Sequence, residues 1–284
     1  MENTSAPMAR IRDTSGTFQA YARKAFLESP IVREAWWVER YEAELPDVFE
    51  AFYSRVGHAN SSAALVRELT QVRKRVDLAR PAVIEAIETV EPTVRSLMGM
   101  EPEPRPLHVL MVGPYATNAV VGSLGDDVVL FHCLEWFQPA QATAALVAHE
   151  DAHAWHRILH GEAAMAEDAA WLAFSEGLAN LVSRRAAPGQ EEADYFWYGH
   201  AGFEAWLPWC QEHAESLVER FAAEIDEPGA GDTWFGAGLV DGQWRVGYFV
   251  ADRLVAGLGL TIPEMVALTP DDARRTIRDA LGVS

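Results

Sequence analysis

The stretch AALVAHEDAHAW, from Ala144 to Trp155, decides how the rest of the chain is interpreted. It contains the pattern His-Glu-x-x-His, in which His149 and His153 are four residues apart and Glu150 follows the first histidine. Residues four apart project from the same face of an α-helix, so both imidazoles can reach one metal ion. The stretch therefore predicts a buried helix that supplies two ligands of a Zn²⁺ ion, with Glu150 beside the metal as general base.

A second apolar stretch offers the third ligand. The run WLAFSEGLAN, from Trp171 to Asn180, carries Glu176 among apolar residues. If a turn begins near Gly161 and Asp168 caps the second helix, His153 and Glu176 each lie about 12 Å of helix from the connection. They would then meet at one level of an antiparallel helix pair, provided that residues 161–167 form a loop. The sequence thus predicts one Zn²⁺ per chain, held by His149, His153 and Glu176.

These residues resemble the gluzincin metallopeptidases, in which a glutamate on a later helix completes the His-Glu-x-x-His ligand set. The run SEGLA around Glu176, with RVGYF from Arg245 to Phe249, is similar to predicted zinc-dependent proteases of uncharacterised bacterial families. The resemblance implies a zincin-like core, a small antiparallel sheet over the active-site helix, with the substrate along an edge strand. By this analogy the strand from Val128 to His132 would line the cleft.

The same resemblance suggests roles for residues outside the ligand set. Gluzincins commonly recruit a tyrosine or histidine from a later helix to stabilise the oxyanion, which makes Tyr248 the first candidate here. His200 and Tyr198 are the next candidates. Asn180, one turn after Glu176, occupies a place where some gluzincins have an acid that orients a ligand histidine.

The remaining patterns predict an α+β fold that is predominantly helical. Helical spacing from Thr17 to Met98 indicates four or five helices in an N-terminal helical region, residues 1–105, with Pro81 in a helix's first turn. The run EPEPRP, from Glu101 to Pro106, interrupts this pattern. A zincin-like metallohydrolase domain over residues 106–284 would follow.

Three segments after this interruption, rich in valine and leucine, indicate strands. They are residues 107–112, 118–122 and 128–132, and a Gly-Asp-Asp turn from Gly125 to Asp127 separates the last two. This pattern predicts the small antiparallel sheet. From Pro139, which suits a helix's first turn, the chain returns to helical spacing.

The charge and hydropathy of the chain limit its partners and its location. The formal net charge is −19, which argues against nucleic acid and anionic membranes as partners because both are bound through basic surface. We see no secretory signal and no apolar run long enough to span a membrane, which predicts a cytoplasmic protein. The two cysteines, Cys133 and Cys210, have no metal-site or redox-motif spacing.

The predicted function is a zinc-dependent peptidase that hydrolyses peptide bonds with a metal-activated water. Three protein ligands leave one coordination position open, which is typical of a catalytic zinc site. Two alternatives stay open at this point. One is a zinc enzyme of another reaction type that acts on a small amide or metabolite, and the other is a non-catalytic binding protein with a vestigial zinc site.

Overall fold

Apolar residues at helical spacing produce helices through most of the chain, as predicted, and a small sheet interrupts them. The computed structural model describes residues 9–57, 62–137 and 142–283. Pro139 and the N-terminal residues 1–8 lie outside these ranges.

Within the described ranges the elements follow in the order β1 (Arg10–Asp13), α1 (Ser15–Ala25), α2 (Pro30–Arg40), α3 (Pro46–Val56), α4 (Ala63–Arg67), α5 (Leu69–Met98), β2 (Leu107–Met111), β3 (Ala119–Leu124), β4 (Asp127–Cys133), α6 (Thr143–His160), α7 (Ala169–Ala186), α8 (Asp194–Trp197), α9 (Trp206–Glu212), α10 (Ala214–Glu224), α11 (Ala230–Phe235), β5 (Leu239–Val240), β6 (Gln243–Trp244), α12 (Val246–Gly257), α13 (Ile262–Val266) and α14 (Pro270–Leu281). Short 3-10 helices cover Glu42–Glu44 and Gly161–Met165. The fold is therefore α+β and predominantly helical.

The main sheet has four strands in the order β1-β2-β4-β3 and is mixed, so the prediction of an antiparallel sheet is wrong. β1 pairs parallel with β2 and β2 pairs parallel with β4, whereas β3 and β4 form the predicted antiparallel hairpin, with Gly125 at positive φ in its turn. The chain passes from β2 to the outer edge of the sheet before it returns as β4. Because apolar alternation carries no information about strand direction, the sequence does not reveal this order.

The expectation that the strand from Val128 to His132 lines the cleft as an edge strand is also wrong. β4 lies between β2 and β3, and its residues from Val129 to Cys133 are buried. A continuous apolar run of this kind is typical of an interior strand, whose two faces are both covered. The edge strand of the sheet that contacts α6 is β3. Arg55 of α3 donates a 3.2 Å hydrogen bond to the carbonyl of Val121 in this strand.

Helix α5 spans 30 residues, about 45 Å, and continues through Pro81 and Pro92. Pro81 therefore lies inside a helix and does not begin one, contrary to the prediction. Buried residues recur at three and four positions from Leu69 to Met98 on both sides of each proline. Packing of this uninterrupted buried stripe compensates for the loss of the backbone hydrogen bonds that the two prolines cannot make.

The division into regions 1–105 and 106–284 stays a prediction, and several contacts between elements cross it. β1 pairs with β2 from Arg10 opposite Leu107 to Asp13 opposite Leu110. α5 packs against both α6 and α7. The N-terminal region thus supplies one strand of the sheet and a helix that supports the helix with the His-Glu-x-x-His pattern. None of the described helices has the length and apolar character that a membrane span requires.

Candidate metal centre

Helices α6 and α7 run antiparallel and carry the centre between them. α6 ends at His160, and α7 begins after Asp168, whose carboxylate accepts a 3.0 Å hydrogen bond from the Trp171 amide. The predicted Asp168 cap is confirmed. Residues 161–167 extend neither α-helix, although five of them form a 3-10 helix where a plain loop was expected.

Side-chain contacts between the two helices place His153 and Glu176 at one level. The Oε2 atom of Glu176 lies 3.0 Å from His149 Nε2 and 3.4 Å from His153 Nε2. The two Nε2 atoms are 3.1 Å apart. The structure therefore brings together the three residues that the sequence predicts as metal ligands.

These separations fit a bound metal ion. Ligand atoms about 2.1 Å from a tetrahedral zinc lie roughly 3.4 Å from one another, close to the values found here. The three side chains are largely buried, with exposed fractions of 3% for His149, 19% for His153 and 12% for Glu176. Two imidazole nitrogens and one carboxylate oxygen, converging in a largely buried place, can hold a metal ion.

The electrostatics of the centre keep Glu176 ionised. Burial alone would raise the pKa of Glu176, but the charge of His153 and hydrogen bonds from both histidines together lower it well below its ordinary value. A carboxylate must be ionised to bind a metal, so this environment prepares Glu176 for that role.

Each ligand histidine is oriented through its other ring nitrogen. His149 Nδ1 lies 3.1 Å from Asn180 Oδ1, which is the contact that the sequence suggested for Asn180. His153 Nδ1 lies 3.1 Å from the Ser175 hydroxyl, a contact that the sequence reasoning missed. Because an amide oxygen accepts only, Asn180 fixes a proton on His149 Nδ1, so that Nε2 can bind a metal in place of its hydrogen bond to Glu176.

Loss of the Asn180 contact is expected to weaken metal binding about 10- to 100-fold. Asn180→Ala removes the acceptor that orients His149, whereas Asn180→Asp keeps an acceptor and adds negative charge. We therefore expect weakened binding in the alanine variant alone, measured by competition with a chromophoric chelator. Equal zinc affinity in wild type and Asn180→Ala would show that Asn180 does not position the ligand.

Glu150 lies beside the three ligands in a cavity of about 220 Å³. The cavity is also lined by His149, His153, Glu176 and Tyr248. Burial raises the pKa of Glu150, while the charges of His149 and His153 oppose this rise. A carboxylate in this position is able to take a proton from a water molecule in the cavity.

The candidate oxyanion residues occupy different places. Tyr248, on α12, lines the cavity, and its ring centroid lies 6.4 Å from that of His149. The Tyr198 ring is closer, at 5.6 Å, and its buried hydroxyl has no hydrogen-bond partner among the described residues. His200 packs against Trp136 and does not line the cavity. Tyr248 is thus the candidate that lines the cavity, whereas Tyr198 contacts the His149 ring from outside the cavity lining and His200 packs elsewhere.

Strand β3 forms one wall of the cavity through Ala119, Val120 and Val121. Sequence reasoning assigned this place to β4 because the hairpin pattern does not say which of its strands faces outward. A larger cavity of about 650 Å³ adjoins the first and shares Glu176 and Tyr248 with it.

Comparisons with known proteins return no match to a protein-family model, to a curated protein or to a solved structure. The resemblance to gluzincins therefore rests on the motif residues alone. The metal centre rests independently on the geometry of His149, His153 and Glu176.

Proposed function

We propose that the protein is a zinc-dependent peptidase. The observation that carries the proposal is the convergence of His149 Nε2, His153 Nε2 and Glu176 Oε2, with Glu150 in the same cavity. Two histidines and one carboxylate form a known ligand set of catalytic zinc, and they leave a coordination position for water. When bound, zinc supplies Lewis-acid activation of a water molecule and of the scissile carbonyl.

Glu150 is the general base in this proposal. It takes a proton from the attacking water and passes it to the nitrogen of the leaving amine. Burial, which raises the pKa of Glu150, favours the first of these transfers because it makes the carboxylate a stronger base.

Tyr198 and Tyr248 are the donors proposed for the carbonyl oxygen, which becomes negatively charged during the reaction. A hydroxyl that points at this oxygen stabilises its charge in a place from which bulk water is largely excluded. The hydroxyl of Tyr198 has no hydrogen-bond partner in the described part of the chain, which supports its inclusion beside Tyr248, the first candidate from sequence.

The substrate is proposed to lie along β3, in a zincin-like arrangement of sheet and active-site helix. β3 is an edge strand, lines the cavity and runs antiparallel to its neighbour β4. An extended peptide can pair with the free backbone groups of such an edge. Since Arg55 already occupies the Val121 carbonyl, the stretch of β3 open to a peptide is short, which favours small peptides.

The alternative zinc enzyme, acting on a small amide, draws support from the same observation. The cavity at the ligands measures about 220 Å³, a size that suits a small molecule as well as one or two residues of a peptide. A vestigial site is disfavoured, since it has no need of Glu150 beside the ligands.

The experiment that tests the proposal is zinc-dependent hydrolysis of a library of short peptides. We expect activity in zinc-loaded protein, loss of it after dialysis against a chelator, and recovery after one equivalent of zinc is added. Hydrolysis that persists in fully metal-free protein would contradict the proposal. Stoichiometric zinc without hydrolysis of any peptide would favour the small-amide alternative.

A further inference from the structure

Arg245 is a cation beside the metal centre, held in an uncommon conformation. It directly precedes α12 and adopts the left-handed backbone region, with φ 57° and ψ 32°. For a residue with a Cβ atom this conformation costs roughly 1 kcal/mol. Strain of this kind is often found at binding sites, where it aims a side chain in a direction that ordinary helix geometry does not reach.

Aromatic rings hold the guanidinium of Arg245 in place. Its central carbon lies 3.9 Å from the centroid of the Tyr248 ring and 5.6 Å from that of the Trp197 ring. Stacking of this type orients the planar group but leaves the N–H donors at its edge available. A side-chain hydrogen bond to Tyr248 adds to this anchoring, and the other N–H donors of the guanidinium are the ones that could recognise an anion.

No carboxylate pairs with Arg245 among the residues that the structure describes, although this protein has many acidic residues. The buried Tyr198 hydroxyl, close to the same guanidinium, also lacks a hydrogen-bond partner within the described ranges. A partly buried cation and an unpartnered hydroxyl beside a candidate metal centre are the groups that recognise a negatively charged part of a ligand.

The distance between Arg245 and the metal-binding residues limits the length of a substrate that contacts both. The Tyr248 ring is 3.9 Å from the guanidinium carbon and 6.4 Å from the His149 ring, so the guanidinium lies at most about 10 Å from His149. An extended chain covers this distance in about three residues. A carboxylate bound at Arg245 would therefore be within about three residues of the bond at the metal.

We infer that Arg245 binds the C-terminal carboxylate of the substrate, so that the substrates are short peptides with a free C-terminus. The inference rests on the proposed function, because it names the substrate class of that same site. The guanidinium matches a carboxylate in shape and can donate two parallel hydrogen bonds to it.

Binding of trialanine and of its C-terminal amide, measured by NMR titration, tests the inference. The zinc-loaded Glu150→Gln variant is used so that neither probe is hydrolysed. We expect the acid to bind at least about tenfold more tightly than the amide. The net charge of −19 favours the amide in any nonspecific binding, so a preference for the acid reports a specific contact.

Variants at Arg245 separate recognition from a structural role. Arg245→Gln in the same background is expected to weaken binding of the acid alone, and Arg245→Lys should keep part of the preference. Arg40→Gln is the matched control, since Arg40 also stacks on an aromatic ring, that of Trp36, but lies far from the centre in sequence and is exposed. Zinc content and thermal unfolding verify that each variant is folded.

Several results would overturn the inference. They are equal binding of the two probes, binding of neither probe, or an Arg245→Gln variant that weakens both probes by the same factor. Equal hydrolysis of acid and amide by the wild-type protein would leave the peptidase proposal standing and reject this one. Preferential binding of the acid without hydrolysis of any peptide would reject the peptidase proposal and leave the inference about Arg245 standing.

Discussion

Replacement of Glu150 by glutamine is expected to reduce peptide hydrolysis about 10²- to 10⁴-fold and to leave the zinc content unchanged. The amide keeps the shape of the carboxylate but cannot take a proton from water. Because Glu150 is not one of the three converging ligands, its replacement leaves His149, His153 and Glu176 in place. The measurement is kcat on the best peptide of the library, together with metal analysis of the same sample.

Glu162→Gln is the matched control for this change. Glu162 lies in the 3-10 helix that follows α6, and its side chain is exposed and paired with Arg157. We expect wild-type kcat in this variant. If Glu150→Gln retained wild-type kcat as well, the assignment of Glu150 as general base would be rejected.

Replacement of Glu176 by alanine is expected to weaken zinc binding by at least about 10²-fold, more than the loss of a residue that only orients a ligand. The change removes one of three protein ligands and the only negative charge among them. Zinc is therefore also expected to raise the thermal unfolding temperature of the wild type but not that of the variant. Competition with a chelator and thermal scans with added zinc measure the two effects.

Glu167→Ala provides the comparison for Glu176→Ala. Glu167 lines the same cavities but is not one of the converging ligands. This variant should bind zinc as the wild type does. Equal zinc affinity in Glu176→Ala and Glu167→Ala would mean that Glu176 is not a ligand.

Local sequence signals predicted the helices of the centre well. The four-residue spacing of His149 and His153 requires only one helix. Glu176 and His153 are about equally far along their helices from the segment that joins α6 to α7, so counting residues predicts that they meet. Asp168 caps α7 as expected. The β3–β4 hairpin was predicted because its turn residues are contiguous with its strands.

Features that depend on residues distant in sequence were not predicted. β1 joins the sheet across nearly one hundred positions, and the parallel pairing of β2 with β4 depends on where the hairpin docks. Pro81 signals a helix start locally, but a continuous buried stripe carries α5 through it. In each case tertiary packing decides between structures that the local sequence permits equally.

Around the metal centre, too, some contacts between residues distant in sequence were not predicted. Asn180 was predicted because it lies one helical turn from Glu176. Ser175 and Arg245 were not identified from the sequence. The Ser175 hydroxyl contacts His153 only because α7 packs against α6, and Arg245 stacks on Tyr248 from a segment about seventy residues further along the chain.

The proposed function requires a metal ion at His149, His153 and Glu176. Its central test is the metal content of the purified wild-type protein after exposure to zinc and removal of excess ion, measured by inductively coupled plasma mass spectrometry. We predict one zinc per chain, lost on chelation and restored on reconstitution. Absence of bound zinc after reconstitution of folded protein would contradict the proposed zinc site and the function that depends on it.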